Sequence, residues 1–118
     1  MTPENLGNDV VNIKELKEIM DGDIELIRDC FAAFVQDYSA VFDEIKSAVI
    51  EKDGSKLDAS AHKLKGTLRY LAAERAADAA YALESSGKSN DMNGIENKLE
   101  TLNHECRKLL EFISRYEG

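Results

Sequence analysis

From Ile24 to Val49 the apolar residues recur every three or four positions: Ile24, Ile27, Phe31, Phe34, Val35, Tyr38, Phe42, Ile45 and Val49. That spacing lays one apolar stripe along a single long helix, and no stretch of the chain shows the alternation of a strand. The only proline is Pro3, so no pyrrolidine ring kinks or breaks anything downstream. A chain built this way is committed to an all-helical fold.

Three further segments carry the same periodicity. A short one, Ile13 to Met20, places Ile13, Leu16, Ile19 and Met20 on one side and ends at Asp21-Gly22-Asp23. Lys52-Asp53-Gly54 breaks the long helix, and Ser55 with Asp58 forms a capping-box-like start for a third, expected to run from Lys56 to Ser85 and to stop near Ser86-Gly87. The fourth, from Asn93 towards Tyr116, has a seam of Ile95, Leu99, Leu102, Cys106, Leu109, Ile113 and Tyr116. Three long helices joined by glycine-containing turns argue against an extended coiled-coil dimer. Short connections make neighbours antiparallel, so the expected architecture is an up-down four-helix bundle with the first segment as a short N-terminal capping helix. Residues 1–12 are read as a flexible N-terminal segment and 13–118 as one domain.

Charge narrows the partners. With 23 acidic against 15 basic residues the net charge is −8, which weighs against nucleic acid, since phosphate backbones need positive surface. No apolar run is long enough to span a bilayer, and the N-terminus lacks the apolar segment of a signal peptide. Cys30 and Cys106 are too few for a disulfide framework and lack metal-ligand spacing, so a reduced, cytoplasmic protein without membrane contact is expected.

Against that background, Ala61-His62-Lys63-Leu64-Lys65-Gly66-Thr67 stands apart. At about 100° per residue, and with His62 at zero, Leu57, Ala61, Leu64, Leu68 and Leu71 cluster at roughly 180–260° and form the core stripe. Ser55, Asp58, Lys65, Gly66 and Arg69 fall within about 60° of His62, which sets the imidazole opposite the core and in solvent. No acidic residue occurs from Ala59 to Ala73, whereas Lys63, Lys65 and Arg69 supply cations, a local field opposed to the net charge and suited to a phosphoryl group. Gly66 interrupts the helix at a cost of about 1 kcal/mol relative to alanine. Neither a turn nor a cap explains it, and on the histidine's face it removes bulk where a partner must come close. His104 has no such company and reads as a surface residue. His62 has no second histidine or cysteine on its face, so no metal site is expected.

The string His62-Lys63-Leu64-Lys65-Gly66-Thr67 resembles the H-x-L-K-G pattern of histidine-containing phosphotransfer (HPt) domains of two-component phosphorelays. The resemblance extends to Asp21-Gly22-Asp23-Ile24-Glu25-Leu26-Ile27 with Phe31 and Phe34, to Ala72-Ala73-Glu74-Arg75 and to Leu83-Glu84, covering about residues 13 to 113. It departs where the family commonly has glycine-alanine in place of Ala72-Ala73, and at Leu68, where a small residue is frequent.

The resemblance implies that His62 is the phosphoacceptor, through Nε2, taking the group from a receiver phospho-aspartate and relaying it to a response regulator. Lys65 would stabilise the phosphoryl oxygens and Gly66 would allow close approach. It implies response-regulator receiver domains and a sensor or hybrid histidine kinase as partners, no cofactor of its own, and a Mg2+ ion in the partner receiver. No nucleotide-binding motif is present, so autonomous ATP-dependent kinase activity is not expected. The expected partner surface comprises Asp58, Ala59, Lys63 and Arg69 with Val35 and Tyr38 of the second helix, and the expected state is a monomer. Two rivals remain: a non-catalytic helical adaptor using the same face, and a histidine kinase dimerisation domain.

Overall fold

Three helix starts are set by a short polar side chain. Asn12, Asp23 and Asp53 each accept a hydrogen bond from the backbone N–H three residues on, Glu15, Leu26 and Lys56, at 3.1, 3.0 and 3.0 Å. Each such cap satisfies an N–H that the helix itself leaves unpaired and contributes about 1 kcal/mol. The computed structural model describes residues 10–116 and contains five helices and no strand among them. They are α1 (Ile13–Ile19), α2 (Ile24–Glu51), α3 (Gly54–Tyr70), α4 (Glu74–Ser89) and α5 (Ile95–Arg115). Residues 1–9 of the expected flexible segment lie outside the described residues; Val11 is buried, and Asn12 caps α1.

The start and the continuity of the third helix differ from the sequence expectation. The cap of α3 is Asp53, not Ser55, and the helix begins at Gly54. The expected third helix is in fact two, parted at Leu71-Ala72-Ala73. There Ala72 is left-handed with φ 56°, and the Ala73 N–H closes back on the Leu68 carbonyl at 2.9 Å. Lys52 and Asn90, with φ 54° and 53°, end α2 and α4 in the same manner, with Asp53 and Asp91 closing back on Ala48 and Ser86. Glycine takes this conformation without steric cost and alanine does not, which gives the Ala72 departure from the family pattern a physical location. An alanine-rich stretch carries no stop signal, so the break was silent in the sequence.

The core is a single cluster. Leu16 of α1, Ile27 and Ile45 of α2, Leu57 and Leu68 of α3, Leu83 of α4, and Leu102 and Leu109 of α5 are fully buried. Each such side chain contributes about 1.5–3 kcal/mol relative to exposure. Chain neighbours α2–α3, α3–α4 and α4–α5 pack together, and α2 returns to α5, where Phe31 meets Tyr116 edge-on at 5.2 Å. Cys106 is buried in this core, and burial pushes its thiol up to about 12.

The most intimate pair is α3 with α4, because α4 turns Ala76, Ala77, Ala80 and Gly87 inward. A Cβ on Gly87 would stand 2.5 Å from the Asp58 backbone nitrogen and 2.6 Å from the Gly54 carbonyl oxygen. Gly87, expected to stop a helix, lies inside one and lets two backbones touch. No helix among the described residues is long and apolar enough to cross a membrane.

Candidate functional site

The helical-wheel reading of α3 holds along its length. Leu57, Ala61, Leu64 and Leu68 are buried, as is Leu71 just beyond the helix, and they hold α3 against its neighbours with the opposite face outward. The His62 side chain is 66 % exposed on that outer face. Lys63, Gly66 and Arg69 are exposed beside it, Ala59 is exposed one turn before, and Asp58 is half-buried. A Cβ added to Gly66 would meet nothing within 4 Å, so packing does not require a glycine there.

What the wheel could not supply comes from α4. Glu84 points from that helix to the base of His62, with its side chain only 2 % exposed. His62 Nδ1 lies 3.0 Å from Glu84 Oε1, and Lys65 Nζ lies 2.9 Å from the same oxygen. Lys88, one turn beyond Glu84, reaches Oε2 at 3.3 Å. Burial by itself would push the Glu84 carboxyl up. Hydrogen bonds from Lys65, His62 and Lys88 together outweigh it and hold the group down at about 2, so it is a carboxylate at any ordinary pH. A buried carboxylate is tolerated here because donors surround it.

This arrangement fixes the imidazole. A carboxylate can only accept, so Nδ1 must carry a hydrogen and donate it to Oε1, and in the neutral ring this leaves the lone pair on Nε2. Lys65 is correspondingly less free than the sequence suggested. Its side chain is 14 % exposed and is held on Glu84, with the Tyr81 ring 5.2 Å from Nζ. Tyr81, Glu84 and Lys88 therefore form one stripe of α4 facing the histidine, at the spacing of neighbours on a helix. In the sequence Glu84 is marked only by the resemblance, and Tyr81 and Lys88 only by their helical spacing from it.

On the other flank of His62, α2 and α3 enclose a groove of about 470 Å³. Lys63, Thr67 and Tyr70 form one wall and Cys30, Ala33 and Asp37 the other. Of the two second-helix expectations, only Tyr38 needs correction. Val35 is 50 % exposed, as a contact residue would be, but lies well over a quarter-turn around α2 from the wall residues Cys30, Ala33 and Asp37 and so outside this groove. Tyr38 is buried at the groove floor, its hydroxyl donating to Asn103 Oδ1 at 3.1 Å, so it braces α2 on α5 instead of presenting a surface.

The Hpt domain family model matches residues 29–112, more than two thirds of the chain. The chain belongs to the Hpt domain family. No curated protein and no solved structure matches it. As an Hpt domain it has a phosphotransfer role in two-component relays, whose members interact with receiver domains and histidine kinases. The matched span contains His62, Lys65, Gly66 and Glu84, and with them every residue of the cluster just described.

Proposed function

We propose that His62 accepts a phosphoryl group from the phospho-aspartate of a receiver domain and relays it to a response regulator. The observation that carries this reading is the Nδ1–Glu84 bond beneath an exposed ring. The Nε2 lone pair attacks phosphorus, the P–N bond forms, and the bond from phosphorus to the aspartyl oxygen breaks to release a carboxylate. The ring becomes cationic as it does so, and the Nδ1–H···Oε1 bond then joins opposite charges, which strengthens it. Stabilisation that grows as the bond forms is what accelerates a transfer. Onward relay is the same reaction in reverse on a second receiver.

Lys65 is the cation for the equatorial phosphoryl oxygens, drawn from its place on Glu84 as charge develops at His62. Gly66 leaves room for the receiver's loops and for the Mg2+ ion that the receiver supplies. Asp58, Ala59, Lys63 and Arg69 ring the histidine as contact residues, and the groove bounded by Lys63 and Asp37 continues that surface onto α2. The short connections at Lys52-Asp53, Leu71–Ala73 and Asn90–Gly94 support an antiparallel up-down arrangement of α2 to α5 with α1 as a cap. We read the chain as a monomer; sedimentation as an obligate dimer would revive the kinase dimerisation domain.

The deciding experiment is transfer from a set of phosphorylated receiver domains to the wild type and to His62→Gln. Acid-labile, alkali-stable phosphate on the wild type alone is the expected result. A folded wild type that binds receivers yet takes no phosphate from any of them would point to a non-catalytic adaptor.

A further inference from the structure

We propose that Tyr81 is a positioning residue that acts through Lys65, keeping the ammonium beside His62 when Glu84 must share its charge. The proposal rests on the reading of His62 as phosphoacceptor. It begins from an exposed aromatic that packing does not explain: Tyr81 is 51 % exposed, on a helix whose inward face is mostly alanine. Its ring centroid is 5.2 Å from Lys65 Nζ, within the range at which a ring face attracts a cation. Tyr81 also precedes Glu84 by three residues, so ring and carboxylate project from the same face of α4 and grip one ammonium between them.

The need for such a grip follows from the sharing of Glu84. His62 Nδ1 and Lys65 Nζ both contact Oε1, at 3.0 and 2.9 Å. When the imidazole becomes cationic it claims more of that oxygen, and Lys65 must release part of its bond to turn towards the phosphoryl oxygens. A lysine side chain set loose at that moment recovers its rotamer freedom and solvates elsewhere. The ring opposes this loss. It attracts the ammonium without neutralising it, so the charge stays available to the incoming group, and the attraction is stronger because Lys65 is largely withdrawn from water. Asp or Glu in place of Tyr81 would hold the lysine but cancel its charge.

The test compares Tyr81→Phe with Tyr81→Leu in the full chain. Phenylalanine keeps the ring face; leucine keeps apolar bulk without it. In proton spectra the Lys65 ε-methylene signals are expected upfield from the ring current in the wild type and in Tyr81→Phe, and at ordinary positions in Tyr81→Leu. Phosphoryl transfer to His62 is expected to be unchanged in Tyr81→Phe and roughly three- to tenfold slower in Tyr81→Leu, the scale of one cation–ring contact. In a Lys65→Met background, Tyr81→Leu is expected to have no further effect. Equal rates for Tyr81→Leu and wild type would overturn the proposal, as would an equal slowing of Tyr81→Leu with and without Lys65. A wild type that shows the ring-current shift but accepts no phosphate would instead overturn the phosphoacceptor reading, and Tyr81's role with it, leaving the Lys65 contact intact.

Discussion

At the start of α3 a Cβ on Gly54 would stand 2.7 Å from Asn90 Oδ1 and 2.8 Å from the Gly87 carbonyl oxygen, whereas a Cβ on Gly66, further along the same helix, would meet nothing within 4 Å. Both positions carry the entropic cost of glycine in a helix. At the Gly54–Gly87 crossing that cost is offset inside the molecule, because close backbone approach fixes how α3 and α4 are set against each other and so brings Glu84 under His62. At Gly66 nothing in the chain itself gains. On the proposed function the compensation comes from outside, when a receiver domain approaches the exposed imidazole. On that reading one helix holds a glycine kept for the fold and a glycine kept for an encounter.

The sharpest way to break this contrast is Gly66→Leu. It is expected to slow transfer from a phosphorylated receiver by roughly a hundredfold, the cost of displacing reacting groups by about an ångström, with the melting temperature unchanged or higher. Normal transfer in that variant would remove Gly66 from the site. The opposite result is expected at Gly87→Ala, which forces a methyl into the Asp58 backbone and should destabilise the chain by about 1–3 kcal/mol in denaturant titration. An undisturbed midpoint would mean that the two helices separate easily.

Glu84→Gln probes the join between the two regions. The folded carboxyl is held at about 2 against an ordinary 4.5, so its bonds contribute stability that is complete above pH about 4.5 and is lost as pH falls through about 2. Wild-type stability should therefore decline over that window, and the glutamine variant should decline less. Parallel acid-denaturation curves would show that the Glu84 bonds add nothing. The smallest effect is expected at Ala72→Gly, which relieves a left-handed alanine and should stabilise by about 1 kcal/mol; a loss of stability there would contradict the turn geometry.

Much of α3 was legible from its residues. The angular positions of Leu57, Ala61, Leu64 and Leu68 against His62 depend only on the pitch of one helix, and all of them are found where that pitch puts them. The bounds of α2, Ile24 and Glu51, were readable from the apolar stripe between Asp21-Gly22-Asp23 and Lys52-Asp53-Gly54, whereas the capping role of Asp23 came from the structure. The α3–α4 break was not, because it turns on a left-handed alanine that has no compositional mark. Tyr38 was misjudged because its role depends on which helix lies beside each flank of α2, and apolar spacing gives the stripe without naming its neighbours.

The sequence by itself determined that the chain is helical, that His62 faces solvent and that Lys65 and Gly66 share its face, since these are consequences of local geometry at short separation. Only the tertiary structure decided that Glu84, twenty-two residues away, accepts from His62 Nδ1 and from Lys65, and that Tyr81 closes over the lysine. Those contacts depend on the distance and rotation between two helices. That relation is set at the Gly54–Gly87 crossing, where the absence of two side chains lets the backbones meet.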